Sequence, residues 1–89
     1  MKRLKIKVIG DVQGVFYRFS AKIVADDLNI TGRAQNEPDG SVSMIAEGKD
    51  EAMEQFAKWA KEGSPMAEVE RIEVTEEEYK GDFKEFEVK

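Results

Sequence analysis

Apolar side chains in this 89-residue chain recur at every second position, then along a helical stripe, then at every second position again, and the cycle runs through twice. Leu4, Ile6 and Val8 alternate with Lys5 and Lys7, the pattern of a strand with one buried and one wet face, and the alternation stops at Gly10. Phe16, Phe19, Ile23, Val24 and Leu28 then predict a helix over 16–28 that turns this stripe to the core. Asn29 suits a left-handed helix end, with Ile30 packing back. A strand follows over Gly32–Glu37, Pro38-Asp39-Gly40 supplies a reversal, and Val42, Met44 and Ala46 alternate on the returning strand. Met53, Phe56, Ala57 and Ala60 mark a second helix over Asp50–Glu62, opened by Asp50 and Glu51 and ended by Gly63-Ser64-Pro65. Val69, Ile72 and Val74 break parity between 69 and 72, which predicts a bulge, and Phe83, Phe86 and Val88 follow a polar turn through Gly81.

The order β-α-β-β-α-β with a short extra C-terminal strand describes an α+β ferredoxin-like sandwich, an antiparallel sheet with two helices on one face. A hydrophobic content of 40% supports one modest core, so residues 1–89 read as a single domain. Trp59, near Phe56 and Gly63 on the helical wheel, is expected at the core edge, and the Met residues as gap fillers.

The absent residue types narrow the chemistry. Without Cys there is no disulfide, no thiolate nucleophile and no sulfur-ligated metal; without His there is no side chain that ordinarily titrates near neutrality. Ser-His-Asp and Cys-His catalysis, phosphohistidine intermediates and ordinary zinc sites are excluded together. A net charge of −5 argues against nucleic acid as a partner, and an RNA-binding sheet would need aromatics on its open face and a basic surface. No apolar run is long enough for a membrane span, and the start lacks a signal-peptide h-region, so the expectation is a cytoplasmic monomer with no membrane partner. Charge is uneven: residues 1–45 hold seven basic and five acidic side chains, residues 46–89 seven basic and fourteen acidic. The first half can therefore host an anion, while the Glu-rich stretch from Glu68 to Glu78 reads as an exposed strand edge.

The segment that can carry chemistry is Gly10-Asp11-Val12-Gln13-Gly14-Val15-Phe16-Tyr17-Arg18, a strand-to-helix turn with two glycines. Such a turn frees backbone N–H groups at a helix amino end, where the dipole favours an anion; the same glycines also serve simple turn geometry. Arg18 sets a cation against the positive end of that dipole, a conflict of ~0.3–1 kcal/mol that a bound anion resolves. Its planar fork matches two phosphate oxygens. Asn36, just before the reversal, carries an amide able to hold a water if the sheet brings it beside this loop.

The run Gly10 to Arg18 resembles the first acylphosphatase signature: glycine, a basic residue, Val-Gln-Gly-Val, any residue, an aromatic and arginine. Gly32-Arg33-Ala34-Gln35-Asn36, continuing through Gly40, Val42 and Gly48, is similar to the second, and Gly63-Ser64-Pro65-Met66-Ala67-Glu68-Val69 to a third stretch, usually Gly-Pro-Pro-x-Ala-x-Val. The resemblance implies hydrolysis of a small-molecule acyl phosphate to a carboxylate and inorganic phosphate, without metal or cofactor. It further implies that the loop Gln13, Gly14, Val15, Phe16, Tyr17 and Arg18 binds the phosphoryl group, with Arg18 as the charged donor and Asn36 orienting the attacking water.

Three positions depart from the signatures. Asp11 stands where a basic residue is usual, a repulsion of roughly 0.4 kcal/mol if it is exposed ~10 Å from the phosphate. Arg33 replaces an aromatic and is expected to alter acyl-group contacts or to restore positive potential. Ser64 replaces a proline, with an expected effect on loop stiffness alone. The competing reading is a catalytically weak anion-binding or interaction module of the same fold.

Overall fold

The computed structural model describes all residues, Met1–Lys89. The chain forms β1 (Lys2–Asp11), α1 (Tyr17–Asp27), β2 (Thr31–Asn36), β3 (Val42–Gly48), α2 (Asp50–Glu62), β4 (Glu68–Glu77) and β5 (Phe86–Val88). The strands make one sheet in the order β4-β1-β3-β2-β5. β1 pairs antiparallel with β3 and β4, and β2 antiparallel with β3. Alternation decides the faces: Leu4, Ile6, Val8, Ala34, Val42, Met44 and Ala46 are buried beneath the helices with Met53, Phe56 and Ala60 of α2. Trp59 packs at the edge of this core, its ring centroid 5.1 Å from Tyr17 and 6.0 Å from Phe56. Of the Met residues, Met44 and Met53 fill the core, whereas Met1 and Met66 are exposed. No helix is long and apolar enough to cross a membrane.

Two expectations are corrected. The sheet is mixed, not purely antiparallel, because β5 pairs parallel with β2 through Gly32–Phe86, Arg33–Glu87 and Ala34–Val88. The chain leaves β4 at one edge, crosses the sheet end over residues 78–85, and so enters the opposite edge running in the direction of β2. The second correction concerns the buried face of α1, which is Tyr17, Ala21 and Ala25, with Val24 and Leu28 packed beside them. Phe16, Phe19 and Ile23 are exposed. Spacing by four selects the face, and the two alanines let the helix sit close to the sheet; reading bulk instead of spacing picks the wrong stripe.

α1 closes as the sequence leads one to expect. Asn29 has φ 57°, the Ile30 N–H donates to the Ala25 carbonyl at 2.8 Å, the Asn29 N–H to Asp26 at 3.2 Å, and Ile30 is buried. These are the paired bonds that satisfy carbonyls at a helix end. The parity break in β4 is a bulge: Ile9 faces Arg71 but Gly10 faces Val69, leaving Glu70 as the extra residue. At Gly10, φ is 144° and a Cβ would lie 2.2 Å from the Glu68 carbonyl oxygen, so the close approach admits only glycine.

A charged cluster anchors the crossing segment 78–85 at the end of the sheet far from the 12–18 loop. Arg3 and Glu47, 6% and 1% exposed, are joined at 3.0 Å. Arg3 also reaches Glu77 at 3.1 Å and Asp82 at 3.2 Å, and Phe83 lies against its guanidinium. The Glu47 carboxylate accepts the Lys80 N–H at 2.9 Å and the Gly81 N–H at 3.2 Å.

Candidate active site

The loop between β1 and α1 is a set of donors without acceptors. Helix α1 begins with Phe16 at φ 62°, ψ 20°, and has no side-chain cap and no acidic residue in its first turn. By contrast α2 opens with Asp50 and Glu51 against its dipole. No main-chain carbonyl accepts the N–H groups of Gly14 through Arg18. Gly14, at φ 74°, and Phe16 place left-handed residues on either side of Val15, the alternation that turns amides into one concave nest. For a bulky aromatic such a backbone is strained, and strain of this kind concentrates at functional sites.

Three tethers hold the loop. Gln13 Nε2 donates to the carbonyls of Glu37 at 2.8 Å and Ser41 at 2.9 Å, the residues on either side of the β2–β3 turn. Glu37 and Ser41 are themselves joined, N–H to carbonyl, at 2.8 Å. The Tyr17 hydroxyl donates to the Ala60 carbonyl of α2 at 2.8 Å, and burial pushes its pKa above the ordinary phenol value, so it remains a donor. Ser64 Oγ donates to the Val15 carbonyl at 2.8 Å. Each tether leaves the loop N–H groups unused.

Arg18, in the first turn of α1, donates from Nη1 to the main-chain carbonyl of Lys89, just beyond β5. Of five guanidinium N–H groups, this bond fixes the plane with one. Asn36 is exposed as the last residue of β2, opposite Val42. Its parity with Gly32 and Ala34 puts it on the helix-side face, and the Gln13 bond to Glu37 binds the very next residue to the loop. Of the sequence-predicted site residues, 13–18 form the turn, and Asn36 ends the strand whose next residue Gln13 holds, without itself lining the cavity on this loop.

A cavity of about 470 Å³ opens on this loop, lined by Val12, Gly14, Phe16, Tyr17, Arg18, Phe19 and Val88. A larger one of about 640 Å³ on the other face of the sheet is lined by Asp11 with Lys7, Asp39, Arg71 and several acidic neighbours, and Arg33 lines a third with Lys5 and Glu37. Two of the three departures thus face away from the loop, so the expected effect of Arg33 on acyl contacts has no geometric basis. Ser64, expected to act only on stiffness, is the departure that touches the loop, and a proline there could not donate the bond. Gln13 and Ser64 have structural roles that a linear reading misses, because a long-range polar contact leaves no periodic trace. No group of three or more Asp or Glu side chains gathers to hold a metal.

Comparison with known proteins agrees with this geometry. The acylphosphatase family profile matches residues 4–88. The chain belongs to the acylphosphatase family. It is 43% identical to the acylphosphatase of Methylococcus capsulatus over 88 residues, covering 99% of this chain and 96% of that one. Among solved structures, the acylphosphatase from Bacillus subtilis superposes with a TM-score of 0.94 at 35% identity, covering 99% and 98% of the two chains. An acylphosphatase from Coxiella burnetii superposes with a TM-score of 0.93 at 32% identity, covering 99% and 92%. Within this acylphosphatase fold, the β1–α1 turn is the place where free amides, a strained backbone and a cation coincide.

Proposed function

We propose that this chain is an acylphosphatase, hydrolysing acyl phosphates to a carboxylate and inorganic phosphate, and that the 13–18 loop with Arg18 and Asn36 does the work. The observation that carries the reading is the amino end of α1, uncapped, free of acidic residues and bearing Arg18. An anion supplies what that helix end lacks, and the Arg18 fork adds charge to the same place.

Phosphoryl transfer asks the protein mainly to position reactants and to stabilise charge on the equatorial oxygens. In this reading the loop amides and Arg18 hold those oxygens, and the Asn36 amide holds a water for attack on phosphorus. The new P–O bond forms as the bond to the acyl oxygen breaks, and the carboxylate leaves with the electron pair. Its conjugate acid has a pKa of roughly 4–5, as side-chain carboxyls do, so no general acid is required. The water proton passes to a phosphate oxygen of the substrate itself. A chain without His can run this reaction, whereas an alkyl phosphate, whose alkoxide must be protonated, is a poor substrate. All the groups invoked belong to one copy of the chain, and neither metal nor cofactor enters.

The test is steady-state hydrolysis of benzoyl phosphate in EDTA, beside an alkyl phosphate. Turnover of the first and not of the second is expected; no turnover, or turnover abolished by EDTA, overturns the proposal.

A further inference from the structure

On the face of the sheet away from the helices, side chains of neighbouring strands line up in rows. One row crosses three strands: Ile45 of β3 stands opposite Arg33 of β2 on one side and Lys5 of β1 on the other. The two cations are therefore two strand spacings apart, roughly 10 Å at the backbone, with Ile45 between them. In the next row Gln35 stands opposite Ser43. These five residues, with Glu37 and Met44 completing the wall, line a small enclosed cavity of about 210 Å³. Two cations thus face one carboxylate, in a chain whose net charge is −5. The carboxylates nearby are engaged elsewhere. Glu87, opposite Arg33 on β5, pairs with Lys89 at 3.2 Å, Asp39 with Lys7 at 3.0 Å and Glu73 with Arg71 at 3.6 Å. Glu37 itself is held by Gln35 Nε2 at 3.3 and 3.4 Å, longer than an ordinary N–H···O bond, so that amide can turn to a better acceptor.

We propose that this cavity is a second anion site, separate from the β1–α1 loop, and that it takes one compact, multiply charged oxyanion of the size of phosphate. Arg33 offers the planar fork that matches two of its oxygens, and Lys5 a point charge from the opposite wall. The Gln35 amide and the Ser43 hydroxyl supply neutral donors between them. A halide would meet the same charge but could not bridge donors on three strands. Arg33 stands where the family signature has an aromatic, so the fork comes from this chain's own sequence. The cavity shares no lining residue with the 13–18 loop, and the site stands whether or not that loop hydrolyses acyl phosphates.

The test follows backbone amides by NMR as inorganic phosphate is added at constant ionic strength, with chloride as the balancing anion. Two groups should shift with separate affinities: 13–18 from the loop, and 33–35 with 43–45 from the open face. Arg33→Gln should raise the Kd read from the second group about tenfold, the loss of one charge-assisted hydrogen bond, and leave the first within about twofold. Arg18→Ala should do the reverse. Glu37→Gln, which removes the one carboxylate on the cavity, should lower the second Kd about threefold. None of these three side chains is buried, so the changes leave the core intact. Phosphate that moves no amide in 33–35 and 43–45 overturns the site. So do shifts there that disappear together with those of the loop in Arg18→Ala, since they would then be relayed from the loop. A second Kd that Arg33→Gln leaves unchanged, or that Glu37→Gln weakens, overturns it as well.

Discussion

The Ser64 hydroxyl and the Val15 carbonyl meet at 2.8 Å across 49 residues of sequence, so the segment after α2 reaches into the middle of the β1–α1 loop. Ser64 is only 4% exposed, so its hydroxyl is held at this carbonyl away from bulk water. Replacing Ser64 with Ala should cost about 1 kcal/mol of stability, measured by urea denaturation. Competitive inhibition by inorganic phosphate should weaken several-fold, with Ser64→Thr restoring most of it. Phosphate inhibition at wild-type strength in the Ala variant would remove the positioning role.

Arg18 and Asn36 should fail differently. Arg18→Ala removes a donor that acts in both ground and transition states, so phosphate inhibition and kcat/KM should fall together. Asn36→Ala should lower kcat by on the order of 10²-fold with little change in phosphate inhibition, in line with loss of a donor that matters at the transition state. An Asn36→Ala protein with unchanged kcat would falsify the water-positioning role.

Glu47 is the buried centre of a cluster that serves Arg3 and the N–H groups of Lys80 and Gly81. Glu47→Ala should destabilise the fold by about 3 kcal/mol, since it strands a buried guanidinium and two donors together. Glu47→Gln, which keeps an acceptor, should cost less. Thermal or chemical denaturation gives both numbers, and a smaller loss in the Ala variant than in the Gln variant contradicts the account.

The Asp39 carboxylate lies well below the ordinary range because the Ser41 hydroxyl donates to it at 2.6 Å and the Ser41 N–H at 2.9 Å, with Lys7 paired at 3.0 Å. A folded-state pKa below the unfolded value gives stability that is present above pH ~4 and lost as the pH falls further. Lys7 is raised, first by its hydrogen bond to Asp39, so its share is present below pH ~10 and lost as the pH rises through the folded value. The Tm difference between wild type and Asp39→Asn should therefore be widest between these limits and should narrow on both sides. Asp39 is exposed and Lys7 half-buried, and the pair lies open to solvent, so the difference is small and falls with added salt.

How far the sequence led can be seen in the two helices. α2 was legible to its ends, because Met53, Phe56 and Ala60 keep the three-then-four spacing of one helical face and the charges Asp50 and Glu51 and the terminator Gly63 agree with it. α1 was legible in extent, but its buried face was not: its largest side chains point outward and its core contacts run through alanine. For the site, the conflict between Arg18 and the helix dipole can be read from spacing alone. The staple from Gln13 to Glu37 and Ser41 cannot, because a side-chain amide has no preferred sequence distance to its acceptor. The direction of β5 was hidden for a related reason. Alternation reports which face a strand buries and not which way its neighbour runs.

The crossing segment clasped by Glu47 has a kinetic corollary. It delivers β5, and with it Val88 and the Lys89 carbonyl that receives Arg18, to a pocket otherwise built from the first half of the chain. Closing that circuit needs the two outer strands to be seated on opposite borders of the sheet, so no early fragment of the folding chain owns the finished cleft beside the β1–α1 loop. In a refolding experiment, recovery of turnover should lag behind the first collapse and coincide with the final all-or-none step.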